Sequence, residues 1–170
     1  MKGRITFLPV ALLLLVVLAV APGCTHHEVK ADFTGSPGPG AKIKVVDVSN
    51  DTGDLFDVDV IGLMWGAIEE ALQKKGLLWT SDFTGPVLEM EVHIVKYQAS
   101  NVVARNMLPF GASTLVAAQY ELKNGGVKIA SLKSNNYIAF GGSYRYGAWR
   151  KIFLQAAEDL VKELKMKLPS

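Results

Sequence analysis

The polar residues that could do chemistry are few, and three of them fall on one predicted strand. Glu89, Glu91 and His93 occupy alternate positions of the alternating segment 86–97, which places them on one strand face. A separation of about 7 Å between alternate positions is wide for one metal ion. His93 is the single histidine of the predicted domain, and no Gly-x-Ser-x-Gly motif presents a serine. We therefore expect a solvated polar face, no metal site, no cofactor and no enzymatic activity.

A glycine-rich segment precedes the last predicted helix. It reads Gly141-Gly142-Ser143-Tyr144-Arg145-Tyr146-Gly147. Bare amides before a helix attract anions, so Gly141, Gly142 and Arg145 are candidate ligand-binding residues. The segment lacks the Walker lysine and the G-x-G-x-x-G spacing. A strand-to-helix turn with packed tyrosines is the competing interpretation.

The segment from Gln98 to Gly111 joins two predicted strands with many more residues than a tight hairpin needs. Long loops of this kind are usually functional or mobile. Two interpretations stay open: its apolar side chains cap one end of the core, or they dock on a partner protein or the membrane. The candidate docking residues are Val102, Val103, Arg105, Met107, Leu108 and Phe110.

The amino terminus has the organisation of a secretory signal peptide. Lys2 and Arg4 precede an apolar run from Ile5 to Val20, and small residues then lead to Cys24. This run of about 16 residues is shorter than the roughly 20 that a membrane-spanning helix requires. Residues 1–23 are therefore predicted to be removed. Cys24 is the only cysteine in the chain, which excludes an intramolecular disulfide.

The junction Ala21-Pro22-Gly23-Cys24 resembles the lipobox of bacterial lipoproteins, in which the signal is cut before a lipid-carrying cysteine. The resemblance implies that Cys24 is acylated and anchors the protein in a membrane. Thr25 stands where a retained enteric lipoprotein would have Asp. In this it resembles enteric lipoproteins that are released to the outer membrane, where the protein would face the periplasm. Residues 24–41 are rich in Gly and Pro and are predicted to form a flexible tether.

Charge is distributed unevenly along the chain. Loss of Lys2 and Arg4 leaves 16 basic and 16 acidic residues. Residues 24–91 hold 5 basic and 12 acidic residues, whereas residues 92–170 hold 11 and 4. If this asymmetry persists on the surface, it would orient a tethered domain toward a charged partner. Alternatively, neighbouring elements neutralise it.

Residues 42–170 predict a single domain with the element order β-α-β-β-β-α. Apolar residues at helical spacing in 57–75 and from 148 onward indicate two amphipathic helices. Asn124-Gly125 is typical of a tight hairpin between two strands. We expect an α/β (α+β) two-layer sandwich, in which a four-stranded, mostly antiparallel sheet carries both helices on one face.

This element order, the lipobox, the hairpin and the strand-Gly-Gly-helix ending resemble the small periplasmic domains of outer-membrane lipoproteins, over about residues 42–168. These include a family of unknown function and, more distantly, the curli-secretion lipoprotein and the lipoprotein activators of cell-wall synthases. The resemblance implies a lipid-anchored accessory or assembly module that binds an envelope protein and contacts the membrane through acylated Cys24. The alternative is a small-ligand or envelope-lipid binding lipoprotein of a transport system. Secretion argues against a nucleic-acid partner, and the oligomeric state stays open.

Overall fold

The computed structural model describes residues 25–98, 114–138 and 148–168. Within these ranges the chain forms five strands and two helices. The sheet has the order β1-β5-β4-β3-β2. β2 and β3 are parallel, and the other neighbours are antiparallel. The elements are β1 (Thr25–Phe33), β2 (Lys42–Asn50), α1 (Val60–Lys74), β3 (Val87–Gln98), β4 (Thr114–Asn124), β5 (Val127–Ile138) and α2 (Ala148–Lys167).

The predicted sheet of four strands is wrong by one, because the predicted tether contains β1. This strand pairs with β5 from Thr25↔Ile138 to Phe33↔Ala130, so residues 25–33 belong to the sheet. Alternation explains the strand: Val29, Ala31 and Phe33 are half-buried between exposed charged residues. The Gly-Pro composition of residues 35–40 hid this short pattern. The α+β sandwich itself is confirmed.

Helix α1 is the crossover that makes β2 and β3 parallel. Asp59 caps its first turn, because its Oδ1 accepts a hydrogen bond from the Gly62 amide at 2.8 Å. The chain leaves the helix through Gly76, whose φ of +67° is in the left-handed region that favours glycine. The residues that follow return to β2, where the Ile43 amide donates to the Leu77 carbonyl at 2.8 Å.

Both helices cover one face of the sheet and form the core with it. The predicted apolar stripe of α2 is confirmed, since its residues from Ile152 to Leu164 at helical spacing have no exposed surface. Helix α2 lies over β5, β4 and β1, and its buried residues belong to one core cluster with inward side chains of the sheet, among them Leu88, Val92 and Tyr120. Gly125 and Gly126, with φ of +56° and +80°, form the predicted hairpin turn between β4 and β5. The core therefore lies between the helix layer and one sheet face, and no described element covers the other.

Candidate functional site

The candidate functional surface is the outward face of the sheet, called here the open face. Its centre consists of side chains from β3, β4 and β5 that alternate with core residues. Glu91 receives hydrogen bonds from the Lys123 ammonium on both carboxylate oxygens, each at 2.6 Å. Lys128 donates to Glu121 Oε1 at 2.6 Å. Glu91, Glu121 and Lys123 are half-buried and Lys128 is exposed. Because they form ion pairs, this face is an ordered array of charges rather than a set of independent side chains.

The strand register sorts these charges into rows that cross the sheet. Asp47, Glu91 and Glu121 occupy successive positions of one row, and Ser131 and Asp32 continue it to β1. Like charges directly opposite each other destabilise a sheet. The lysines of the flanking row offset this: hydrogen bonding to Lys128 holds the pKa of Glu121 below its ordinary value. A partner of this face would thus meet an acidic row beside lysines.

A serine, a histidine and an aspartate meet where β2 ends beside β3. Ser49 Oγ lies 2.9 Å and Asp51 Oδ2 3.0 Å from the same imidazole nitrogen, Nδ1 of His93. A relay for nucleophilic catalysis requires the acid and the nucleophile on different ring nitrogens. The arrangement instead ties the end of β2 to β3. The hydrogen bonds of His93 and Asp51 thus position a turn, which is a structural task.

The three polar residues singled out on β3 do share the open face, as predicted. Glu89 is exposed, and Glu91 and His93 are half-buried. They are engaged separately: Glu91 pairs with Lys123, and His93 with Asp51. Within the described part of the chain, no three His, Cys, Asp or Glu side chains come together as metal ligands would.

The other predicted site residues lie outside the described residues, but the described positions next to them in sequence lie at the same end of the sheet. Thr25, which follows Cys24, pairs with Ile138, and Ile138 pairs with Thr114. Leu115 pairs in turn with Gln98. This end of the sheet, where the strands β1, β3, β4 and β5 begin or end at Thr25, Gln98, Thr114 and Ile138, is called here the anchor end. The predicted residues that depart from it are Cys24, then Val102, Val103, Arg105, Met107, Leu108 and Phe110, then Gly141, Gly142 and Arg145.

Leu55 is a large apolar side chain that the sequence analysis missed. It lies between the end of β2 and the start of α1 and is 100% exposed. Its neighbour Phe56 turns inward and meets the Tyr97 ring edge-on, with centroids 5.0 Å apart. The sequence signal was an apolar pair between a turn, Asn50 to Gly53, and a helix cap, where only one member can face the core. The pair belongs to the loop that leaves β2.

A buried polar network was also missed. The Tyr120 hydroxyl and Ser134 Oγ lie 3.0 Å apart, and both residues are almost fully buried. Burial raises the pKa of Tyr120 to about 12. Asn136 Nδ2 donates to Asp159 Oδ2 at 3.2 Å and so connects β5 with α2. The network fixes the position of α2 on the sheet, and it is an internal structural feature rather than an exposed site.

Clefts lie on the helix side of the molecule. One of about 340 Å³ is lined by Lys74, Lys75, Glu158 and Lys162 together with neighbouring apolar atoms. Lys74 bridges the helices there, with Nζ 2.7 Å from Glu70 and 3.5 Å from Glu158. The cleft is open and its charges are largely satisfied within the protein. It lacks the apolar lining with a few convergent polar groups that is typical of a small-molecule site.

Neither helix of the described chain, α1 or α2, combines the length and the apolar character needed to cross a bilayer.

Comparison with known proteins places the fold. No family model and no curated protein matches the sequence. PelC from Paraburkholderia phytofirmans, solved as a dodecamer, aligns with 83% of this chain and 98% of its own at a TM-score of 0.58 and 12% identity. A second PelC dodecamer structure aligns with 85% of this chain and 100% of its own at a TM-score of 0.55 and 11% identity. A minor lipoprotein from Acinetobacter baumannii covers 74% of this chain and 96% of its own at 0.43 and 12% identity, a TM-score that does not establish a shared fold. What this chain shares with PelC is the fold of the domain.

Proposed function

We propose that the protein is a lipid-anchored accessory or assembly module of the bacterial envelope that acts by binding other envelope proteins. It is held by acylated Cys24 at the outer membrane and faces the periplasm. The observation that carries this proposal is the position of Thr25 at the anchor end, paired with Ile138. A lipid on the preceding residue would hold that end of the sheet next to the bilayer.

The geometry gives the two surfaces of the sandwich different tasks. Strands run away from the anchor end, so a membrane at that end leaves the open face pointing sideways toward neighbouring proteins. The residues exposed there are charged and ordered by ion pairs such as Glu91 with Lys123. Charged arrays of this kind favour a partner of complementary charge and set its orientation.

The predicted docking segment supports the same orientation. It departs from Gln98 and returns at Thr114, both at the anchor end. Its apolar residues include Leu108 and Phe110. We propose that this segment contacts the membrane or a membrane-bound partner.

The shared fold supports a role in protein assembly. Both solved PelC structures are dodecamers, so a domain of this architecture is able to build assemblies from copies of itself. Contacts of the open face or of the sheet edges would be lateral in a layer of membrane-anchored copies. Light scattering of the detergent-solubilised full chain measures whether such assembly occurs.

Lipidation of Cys24 is the first step to test. Cells that express the full chain are labelled with a clickable palmitate analogue and fractionated. We expect label on the protein and its recovery with outer membranes, whereas Cys24→Ser should abolish both. Thr25→Ser is the matched control and should retain the label, because it leaves the only cysteine in place. An unlabelled wild-type protein would contradict the proposed anchoring.

A further inference from the structure

The fully buried core contains none of the described side chains of β1. The buried apolar residues extend from Ala41 to Leu164, and Val29, Ala31 and Phe33 contact this core but are only half-buried. Removal of β1 would uncover its neighbours on β5, Leu132 and Ala130, whereas the larger part of the core lies between the two helices and the other four strands. The hydrophobic stabilisation that this larger part provides would be kept.

The inward side chains of β5 that lie beside the middle of β1 are polar. Val29 pairs with Ser134, and the next inward position on β5 is Asn136, which is 1% exposed. The partner of Ser134 is Tyr120 of β4, and that of Asn136 is Asp159 of α2. These hydrogen bonds do not involve β1. Departure of β1 would hydrate the Ser134 hydroxyl and the Asn136 amide nitrogen, which keep these partners on β4 and α2.

The two edges of the sheet are protected differently. At the β2 edge, Ile43 donates to the Leu77 carbonyl and accepts from the Trp79 amide at 2.9 Å. A bulge at Val45 to Asp47 further distorts that edge. Among the described residues, no segment covers the outer side of β1 in this way. In the described part of the chain, β1 thus has a single sheet neighbour and no segment along its outer side.

A hinge follows β1. The Thr34 and Gly35 amides both donate to the Ile129 carbonyl, at 2.9 and 3.1 Å, and end the pairing. Pro37 is buried, and Gly38 lies against Pro86, so the chain is held again from residue 37 onward. Once the hydrogen bonds of Thr34 and Gly35 to Ile129 break, rotation within residues 34–36 would release β1 without moving β2.

We infer that β1 is a detachable strand, which docks on β5 and releases as a unit to become a linker. When docked, it holds the anchor end against the lipid-bearing residue. When released, residues 25–36 form an extended linker of up to about 40 Å, which lets the domain reach partners away from the membrane. The use of this motion rests on the proposed anchoring at Cys24, but the motion itself does not.

Two lysines in register provide a matched test. Lys30 of β1 pairs directly with Lys133 of β5 on the same face. Proteases cut a strand only after it leaves its sheet, and the rate follows the population of the open state. We expect trypsin to cut the full chain in detergent after Lys30 at least about tenfold faster than after Lys133, as open populations differ between local and global unfolding. The fragment that begins at Ala31 should keep its circular dichroism spectrum and thermal transition.

Two substitutions in β1 strengthen the test. Val29→Ser removes an apolar contact with the core and should speed cleavage after Lys30, whereas Ala31→Ile adds one and should slow it. Neither should change cleavage after Lys133. Equal cleavage rates at Lys30 and Lys133 in the wild-type chain would overturn the inference, because β1 would then open only when the domain unfolds. Failure of Cys24 acylation would not alter this result, so the two proposals fail independently.

Discussion

At the residue scale, the buried phenol of Tyr120 makes the stability of the domain depend on pH in the alkaline range. Its pKa is raised from 10.0 to about 12 because burial disfavours the phenolate. In the unfolded chain the phenol ionises near its ordinary pKa. The native state therefore binds the proton more tightly, and its stability is retained below pH 10.0 and falls as the pH rises toward about 12.

Tyr120→Phe should weaken this alkaline unfolding. At neutral pH the variant should lose about 1 to 2 kcal/mol of unfolding free energy, because Ser134 is left buried without the phenol. Above pH 10 the difference from wild type should shrink, since phenylalanine has no proton to lose. Urea unfolding at several pH values measures both effects. Ser134→Ala is the control: it removes the same hydrogen bond but keeps the alkaline transition.

At the element scale, the start of α1 depends on one side chain. Asp59→Ala removes the acceptor of the Gly62 amide and should cost about 1 kcal/mol of unfolding free energy. Asp57→Ala, two residues earlier and also exposed, is the control and should change stability little. Thermal unfolding by circular dichroism compares the two. Equal losses in both variants would mean that loop charge, and not the cap, is responsible.

Elements with a strong local pattern were predicted from the sequence, and β1 was not. Strict alternation identified β3, and Asn124-Gly125 identified the hairpin, in which the two residues at positive φ are Gly125 and Gly126. In β1 the inward side of the described part carries Val29, Ala31 and Phe33, whose pattern is short and adjoins a Gly-Pro segment. Its strand structure comes from pairing with β5, which is more than 90 residues distant in sequence.

The candidate site was predictable only in pieces. The polar face of β3 followed from alternation, as did the position of Glu89, Glu91 and His93 on it. The anchor end was not predictable, because it depends on the strand order, which places β1 beside β5. Leu55 was missed because burial of Phe56 against Tyr97 decides which member of that pair is exposed.

At the scale of the whole molecule, the acidic first part of the chain meets the basic second part across the sheet. Glu91 of the first part and Lys123 of the second form an ion pair on the open face. The asymmetry along the sequence is therefore partly neutralised between neighbouring elements. Lys123 is central to this: hydrogen bonding to Glu91 raises its pKa, and Glu121 and Glu89 add to the effect.

Lys123→Met should destabilise the domain more than Glu91→Gln. Lys123→Met leaves the carboxylates of Glu89, Glu91 and Glu121 near one another without this lysine. Glu91→Gln leaves Lys123 with two carboxylates, those of Glu89 and Glu121. The difference should shrink at about 1 M salt, where charges are screened within about 3 Å. Urea unfolding at low and high salt measures it, with Lys96→Met, an exposed lysine of β3, as the control. A difference that persists at high salt would point to lost side-chain packing.

The pairing of β1 with β5 also sets the order of folding during export. A strand beginning at Thr25 finds its partner only after residues 130–138 have emerged, because the ladder joins the two ends of the domain. Such distant contacts form late. If the chain is exported and processed at Cys24 as proposed, the residues that follow Cys24 stay unpaired and accessible to processing enzymes until the end of β5 has emerged. The topology of the sheet would then set the time available for processing of the amino terminus.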